Sequence, residues 1–398
     1  MSARFSVVYP TRHRPEFVRQ ALRILETQRH ADFEVIVCDN FVNPSLSCEP
    51  ACRDSTLVNL QYRRPPRPLG MVENWAYSLP FATGDYVCFL TDKMFVLPDA
   101  LGRIEHAIDA AGGPDIVSWT SDFYFPASYP DYFGDGRYSH VQSGVRSGPF
   151  QRFSPAEELD RRGEAHVSRS EQSPAQYCRG KLAFGAYRRE LVQRTVHRYG
   201  ALFHNINPDY TSMVLGLAEA HDAIEMASSC VVSVNTDLSN GMLSDTNDVA
   251  ALGFLNSLAG GAASILPNLL VPGLYASLHN WVAHDYLTLK RAYDLPFRFN
   301  TVNWLVYCHE DIHRPERRWS DPRVEAEQKG LLRAFVESLE PAVVAMVEAR
   351  LAARAAPVRR PPLRRFARRL VPRSWRRPAP SPSPSIQAAV ERSVASRN

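Results

Sequence analysis

Short runs of apolar residues alternate with amphipathic stretches along the first hundred residues. The runs at 5–9, 33–38 and 86–90 have the length and composition of strands that are buried on both faces of a parallel sheet. The stretches that follow Pro15 and Gly70 place apolar residues on one side of a helix. This alternation predicts an α/β domain with a Rossmann-like, doubly wound and mostly parallel sheet.

Each predicted strand ends in a polar residue. Pro10 and Thr11 end the first strand, Asp39 ends the second, and Asp92 follows the run at 86–90. The carboxyl ends of parallel strands meet at one edge of a sheet, which is where open α/β sheets bind ligands. Arginines stand near this edge at positions 12, 14, 63 and 64. The set predicts a site for an anionic ligand that also carries a sugar or base to hydrogen-bond.

The periodicity weakens after residue 120. Aromatic residues, proline and glycine dominate 123–138, and 143–173 is polar and irregular, which predicts long loops. Aromatic faces suit sugar rings, so we assign the first loop to an acceptor, with a packed loop of no function as the alternative. Residues 178–188 predict a strand that leads into a helix at Arg189. The pattern from 248 to about 350 is largely helical.

Composition indicates the class of protein and the compartment in which we expect it. A hydrophobic content of 45% and a charged content of 22% over 398 residues are typical of a soluble globular protein. Seven scattered cysteines argue against a disulfide framework. The chain enters a predicted strand at once, so we expect no signal peptide and a cytoplasmic location. The uncharged stretch 249–284 predicts a buried helical pair more readily than a membrane span.

The chain divides into three predicted parts: a sheet domain at 1–245, a helical subdomain at 246–352, and a tail at 353–398. Between Arg354 and Arg377 the tail has ten arginines and no acidic residue. Its proline, serine and arginine content predicts disorder. Such a tail could contact anionic lipid on the inner face of the membrane. Nucleic-acid binding is not expected, because the rest of the chain has no recurrent aromatic and basic surface motif.

Several motifs together resemble the start of family 2 glycosyltransferases of the GT-A fold. They occur in the family's order and spacing over roughly the first hundred residues, although none is specific alone. The motifs are 6–11 with Arg14-Pro15, 33–39, Leu69-Gly70-Met71 with Asn74-Trp75, and 84–87 leading to Leu90-Thr91-Asp92 and Leu97-Pro98.

The resemblance implies an inverting glycosyltransferase with a nucleoside diphosphate sugar as donor, most readily a UDP-sugar. The donor residues that it implies are Pro10, Thr11, Arg14, Asp39, Arg63 (with Arg64 as its alternative), Gly70, Asn74, Thr91 and Lys93. It implies Mg²⁺ or Mn²⁺ at Asp92, with His204, His221 or His309 as a further ligand that some members use. It also implies a catalytic base at the start of a later helix. Asp209 occupies that place, and Asp222 and Glu225 are weaker candidates.

The acidic motif departs from the family, which has two or more acids where this chain has Thr91-Asp92-Lys93-Met94. One carboxylate can still hold a divalent cation together with phosphate oxygens. Alternatively, the Lys93 ammonium neutralises the leaving diphosphate in part without a metal. Both hypotheses stay open at this point, as does a third in which the Lys93 side chain points to solvent.

Other function classes are less well supported. A nucleotidyltransferase needs a glycine-rich loop after the first strand, and residues 11–15 contain no glycine. A catalytically inactive protein that binds a sugar nucleotide remains an alternative because of the altered acidic motif. His309, Glu310 and His313 match H-E-x-x-H, a zinc motif on helices, but Pro315 limits the helix and surface histidines explain the match better. The acceptor is expected to be a glycan, a lipid-linked glycan or a small molecule with a hydroxyl group.

Overall fold

The computed structural model of the chain describes residues 3–236, 238–355 and 381–395. The strands are β1 (Phe5–Thr11), β2 (Phe33–Asp39), β3 (Leu60–Arg63), β4 (Tyr86–Phe89), β5 (Met94–Val96), β6 (Ile116–Ser118), β7 (Ser121–Pro126), β8 (Gly136–Ser139), β9 (Phe150–Phe153), β10 (Gly185–Arg188), β11 (Ala223–Met226), β12 (Val231–Val234) and β13 (Ser381–Ser383).

The helices alternate with these strands and then dominate the second half of the chain. They are α1 (Pro15–Leu25), α2 (Glu49–Arg53), α3 (Met71–Ser78), α4 (Ala100–Ala111), α5 (Pro155–Arg162), α6 (Pro174–Cys178), α7 (Arg189–Tyr199), α8 (Pro208–Glu219), α9 (Asn240–Thr246), α10 (Asp248–Asn256), α11 (Gly261–Ile265), α12 (Leu278–Tyr293), α13 (Thr301–His313), α14 (Pro322–Glu337), α15 (Pro341–Ala355) and α16 (Ile386–Ala395). None of the helices in the described ranges is by itself long and apolar enough to cross a membrane.

The larger sheet has the strand order β3-β2-β1-β4-β10-β6-β11-β9. β1 is parallel to both β2 and β4, and its register pairs Thr11 with Asp39 and Val8 with both Ile36 and Phe89. The apolar residues of these three strands are buried, as expected for a parallel sheet with helices on both faces. The predicted doubly wound, mostly parallel sheet is therefore confirmed, and the carboxyl ends of β1, β2 and β4 lie at one edge.

A buried carboxylate ties the three strands together at their other end. Glu34 accepts hydrogen bonds from the Ser6 hydroxyl at 2.6 Å, the Thr83 amide at 2.6 Å and the Gln61 side chain at 2.9 Å. Gly84 enters β4 beside this cluster, where an added Cβ would lie 2.6 Å from the Ser6 amide nitrogen. The close backbone approach therefore requires glycine at position 84.

A second sheet of five strands has the order β13-β8-β7-β12-β5. β7 and β8 overlap the stretch 123–138, for which the sequence predicts a loop. Prolines and glycines conceal the strand pattern there, and β12, a partner of β7, is distant in sequence. The strand predicted at 178–188 is shorter than expected, and the helix predicted at Arg189 is α7. α6 ends at Cys178, a 3₁₀ turn spans Leu182–Phe184, and only 185–188 form a strand, β10.

Residues 381–395 differ from the disordered tail that the composition predicts. β13 pairs antiparallel with β8, and α16 packs on β7 and β12 with Ile386, Ala389 and Val390 buried. Ser393 donates a hydrogen bond to the fully buried carboxylate of Asp122. The arginine-rich segment and its predicted lipid contact lie at 356–380, outside the described residues.

The helices after residue 246 form apolar clusters beside the larger sheet. Three consecutive residues of α12 take part in different clusters. Trp281 packs with α10 and α11, Val282 joins the core of the sheet domain, and Ala283 packs with α13. The predicted C-terminal helical region is thus present. α12 joins it to the sheet through shared apolar contacts.

We predict that Gly84→Ala lowers the free energy of unfolding by about 2 kcal/mol, and with it the thermal midpoint. The reason is that the new methyl group collides with backbone that cannot move aside. Gly330→Ala, within α14 and with open space around its Cα, is the control and should stabilise by roughly 0.5–1 kcal/mol. Differential scanning calorimetry of both variants measures the effect. An unchanged midpoint for Gly84→Ala would show that β1 and β4 are not held at this spacing.

Candidate active site

A cavity of about 950 Å³ opens at the carboxyl edge of β1 and β4. It is lined by the sheet edge, by the loop at 167–169, by the start of α8, and by α9, α10 and α12. Eight of the predicted site residues line this cavity: Pro10, Thr11, Arg14, Asn74, Thr91, Asp92, Lys93 and Asp209. Two distant parts of the sequence, the strand ends and the start of α8, therefore meet in one space.

Asp92 is held by two side chains from the end of β1 and its following loop. The Thr11 hydroxyl donates a hydrogen bond to Oδ2 at 2.7 Å, and Nη1 of Arg14 donates to Oδ1 at 3.0 Å. The Asp92 side chain is 5% exposed and that of Arg14 is 20% exposed. Both carboxylate oxygens are thus already engaged by a hydroxyl and a cation.

Lys93 lies at the same edge, under the segment that precedes α9. Its ammonium donates a hydrogen bond to the Ser239 hydroxyl at 2.6 Å, and Arg14 donates to the backbone oxygen of Leu238. The pKa of Lys93 is lowered to about 8, chiefly by burial and also by nearby Arg14, while Asp92 raises it. Lys93 therefore lies in a poorly solvated, positively charged environment that an anionic ligand would relieve.

The donor atoms at Asp92 do not fit a divalent cation. Mg²⁺ needs octahedral oxygen ligands, whereas Asp92 is ion-paired with Arg14 and followed by the Lys93 ammonium. Across the described ranges, no group of three or more His, Cys, Asp or Glu side chains is placed to hold a metal ion. The Mg²⁺ or Mn²⁺ predicted at Asp92 thus finds no second protein carboxylate.

Arg169 is a cation of the cavity that sequence reasoning missed. Its guanidinium lies over the rings of Phe123 and Tyr177, at 4.2 and 4.8 Å from the ring centroids. Its field also lowers the pKa of Lys93, which places the two cations in one electrostatic environment. Nothing marks Arg169 in the irregular stretch 143–173, because only the folded loop brings it to the sheet edge.

Three predicted donor residues do not line the cavity. Asp39 is fully buried at the end of β2, where its Oδ2 accepts from the Cys48 amide at 2.6 Å and from Tyr62 at 3.2 Å. Arg63 is exposed, donates to Gln61 and lies 4.8 Å from the ring centroid of Phe81. Gly70 caps α3 and approaches the backbone around Ser257. Their predicted contacts with the donor stay predictions.

Asp209 is the second residue of α8, where unpaired backbone amides favour a negative charge. The backbone amides of Asp209 and Tyr210 at the start of the helix lower the pKa of its carboxyl group. Burial raises its pKa, while Lys181 lowers it. A carboxylate with these features can take a proton from a hydroxyl group. The weaker candidates Asp222 and Glu225 instead pair with Arg152 and Arg179, away from the cavity.

Asp285 of α12 fixes the turn that leads into α8. Its carboxylate accepts from the backbone amides of Ile206 and Asn207, at 2.5 and 2.9 Å, and from the Asn207 side chain. Burial raises the pKa of Asp285 to about 8. The helical region thereby positions the start of α8, a role that the sequence did not indicate.

A buried histidine ties the 167–171 loop to the same region. His279 contacts Asp311 through Nδ1 at 2.8 Å and Glu171 through Nε2 at 3.2 Å. Glu171 in turn accepts from the amides of Val167 and Ser168, next to Arg169. Burial alone would lower the pKa of His279, but the two carboxylates raise it to about 10. His279 is therefore charged and anchors the loop that carries Arg169.

The H-E-x-x-H motif forms no metal centre in the described chain. His309 and His313 stack on one face of α13 with ring centroids 3.8 Å apart, while Glu310 pairs with Arg354. His204, His221 and His309, the candidate metal ligands from the second half, do not line the cavity. The stacking of the two histidines and the ion pair of Glu310 with Arg354 account for these three residues.

Comparisons with known proteins concern mainly the sheet domain. Residues 6–158 match the family model "Glycosyl transferase family 2". The matched range includes every predicted donor residue and ends before Asp209. The match, with the topology above, confirms the predicted GT-A fold and the resemblance to this family. A search of curated proteins gives no match.

Two solved structures of S. aureus TarS are similar to this chain. TarS 1-349 in complex with UDP-GlcNAc has 14% identity and a TM-score of 0.46, over 85% of this chain and 93% of that one. The crystal structure of S. aureus TarS has 15% identity and a TM-score of 0.43, over 87% of this chain. The chain covers 55% of the length of that second structure.

We predict that His279 stabilises the fold most below pH 6.5. Its folded-state pKa of about 10 exceeds the ordinary value of 6.5, so its contribution is complete below pH 6.5 and is lost as the pH rises towards 10. The difference in melting temperature between wild type and His279→Asn should shrink across that window. His309→Asn is the control. Because the pKa of His309 is about 4, any pH-dependent change in its contribution to stability falls between pH 4 and 6.5. A difference for His279→Asn that stays constant from pH 6.5 to 10 would contradict a charged His279.

Proposed function

We propose that this chain, whose residues 6–158 match the model of family 2 glycosyltransferases, transfers a sugar with inversion from a nucleoside diphosphate donor to a hydroxyl group. The observation that carries the proposal is the joint placement of the strand-end cations and Asp209 in one cavity. One end of this cavity suits a diphosphate and the other provides a carboxylate base. The acceptor is a glycan, a lipid-linked glycan or a small molecule in the cytoplasm.

The donor would bind at the ends of β1, β2 and β4. Three buried oxygens there have no hydrogen-bond donor within the described part of the chain: Asp39 Oδ1, Asn74 Oδ1 and Thr91 Oγ1. Buried acceptors normally have partners, since leaving one unpaired costs about 1–3 kcal/mol. The hydroxyl groups of a ribose would supply partners for Asn74 and Thr91, which line the cavity. UDP as the nucleotide is proposed from the family resemblance, which assigns the base to Asp39, although Asp39 does not line the cavity.

The diphosphate would be neutralised by the cations of the cavity. Lys93 and Arg169 have no carboxylate partner within the described ranges, whereas Arg14 shares its charge with Asp92. Fixed cations in a poorly hydrated site stabilise the charge that develops on a leaving diphosphate. Of the two hypotheses for the altered acidic motif, this arrangement supports the one in which Lys93 acts in place of a metal.

Asp209 is the proposed base. The acceptor hydroxyl gives its proton to the Asp209 carboxylate as its oxygen attacks the anomeric carbon. The bond from that carbon to the diphosphate breaks on the opposite face, so the anomeric configuration inverts. The Lys93 ammonium donates one of its three N–H groups to Ser239, so two remain for the diphosphate.

We predict that UDP binds equally well with Mn²⁺ and with EDTA, and that Lys93→Ala weakens binding by about tenfold or more, since a poorly solvated charge pair is lost. Isothermal titration with several nucleoside diphosphates measures both effects. Lys329→Ala, which removes a lysine paired with Glu325 on α14, is the matched control and should bind as wild type. Binding that collapses in EDTA would instead support a metal at Asp92.

We predict that Asp209→Asn lowers turnover by about 10²–10⁴-fold while UDP affinity stays within about threefold. Asp222→Asn, outside the cavity, controls for the loss of a carboxylate and should turn over normally. Release of UDP and the anomeric NMR signal of the product follow turnover and stereochemistry. A wild type that binds UDP but turns over no acceptor would favour the alternative of an inactive sugar-nucleotide-binding protein.

A further inference from the structure

The active-site cavity has an apolar part to which neither the strand-end cations nor the base belong. Five lining residues form it, and together they are called the apolar lobe here: Met71 of α3, Gly253 and Phe254 of α10, and Leu278 and Trp281 of α12. The rings of Phe254 and Trp281 stack with their centroids 5.7 Å apart. Four of the five residues pack in one apolar cluster, which joins the three helices.

The apolar lobe borders on both the base and the donor edge. Ile206, three residues before Asp209, is buried in the same cluster. On the other side α3 begins against the end of α10, since a Cβ added to Gly70 would lie 3.3 Å from the backbone oxygen of Ser257. α3 also carries Asn74, one of the unpaired oxygens at the donor edge. A ligand in the lobe therefore lies beside both groups that a transfer needs.

The hydrogen-bonding capacity of the lobe is small. Among its five side chains only the Trp281 indole carries an N–H or O–H group, and this buried N–H has no acceptor within the described residues. The neighbouring Ser257 hydroxyl already donates to the backbone oxygen of Phe254 at 2.7 Å. A glycan placed here would lose water from several hydroxyl groups, and each group left without a partner is unfavourable. An apolar chain has no such groups and gains from burial.

An apolar surface leads from the lobe to the outside of the protein. Val249 stands one helical turn before Gly253 on the same side of α10, and 61% of its surface is exposed. No Asp, Glu, Lys or Arg occurs from 249 to 284. A chain longer than the lobe can thus continue along α10 without meeting a charged side chain of that segment.

We propose that the apolar lobe binds the hydrophobic part of the acceptor, which is a lipid-linked acceptor with its apolar chain close to the reacting hydroxyl group. Asp209 would take the proton of that hydroxyl group, so the inference rests on the proposed function. Burial of the chain against Met71, Phe254 and Leu278 holds the acceptor in place. Of the three acceptor classes that the proposed function allows, a free glycan fits the lobe least well.

Alkyl glucosides of increasing chain length test the lobe without any need for turnover. Methyl, hexyl and octyl β-D-glucoside, the last two below their critical micelle concentrations, are titrated into the full-length protein with and without UDP. Tryptophan fluorescence follows binding, because Trp281 is part of the lobe. Each buried methylene group should tighten binding by about threefold, so we expect the octyl compound to bind roughly tenfold better than the hexyl compound and the methyl compound to bind most weakly.

Gly253→Asp tests whether the chain binds in the lobe. The space around the Cα of Gly253 is open, so the carboxylate is accommodated. It should abolish the tenfold gain, because a charge beside a buried chain must lose its water. Gly330→Asp, at another open helical glycine outside the cavity, is the matched control and should keep the gain. Phe254→Ala, a second variant that removes one ring of the lobe, should reduce the gain.

Two results would overturn the inference. One is equal affinity for the hexyl and octyl compounds, and the other is a gain that survives in both Gly253→Asp and Phe254→Ala. A protein that binds no UDP would count against the proposed function. A flat chain-length series with normal UDP binding would count against the lobe alone, so the two failures are distinguishable.

Discussion

The parallel register of β1 with β2 and β4 is the constraint on which the site depends. It places Thr11 opposite Asp39 and brings Asp92 within hydrogen-bond distance of Thr11. Glu34 holds the same strands at their other end through buried hydrogen bonds. A shift of one residue would turn every side chain of a strand to the opposite face of the sheet. The core and the candidate site are therefore specified by the same pairing.

Charge balance in a partly buried cavity accounts for the chemistry of the site. Asp92 is paired with Arg14, so Lys93 and Arg169 give the sheet edge a net positive charge that a diphosphate would neutralise. At the start of α8 the balance is different, since burial raises the pKa of Asp209 while nearby Lys181 and the backbone amides lower it. One cavity thus contains both the cations and the carboxylate that the proposed transfer requires.

The C-terminal helices complete the site from outside the matched domain. Asp285 holds the turn before α8, and His279 holds Glu171 and with it the loop of Arg169. Both act through buried, charge-assisted hydrogen bonds, which are stronger than neutral ones and fix geometry. The positions of Asp209 and Arg169 consequently depend on residues of α12.

The sequence alone determined the strands of the sheet edge and eight residues that line the cavity, because apolar runs and the polar residues that end them are local signals. It identified Asp92, Lys93 and Asp209 without their partners. Only the tertiary structure brought in Arg169, since its place in the cavity comes from contacts between segments far apart in the chain. It also revealed β7, β8 and α16, whose stability comes from pairing and packing with distant strands rather than from their own pattern.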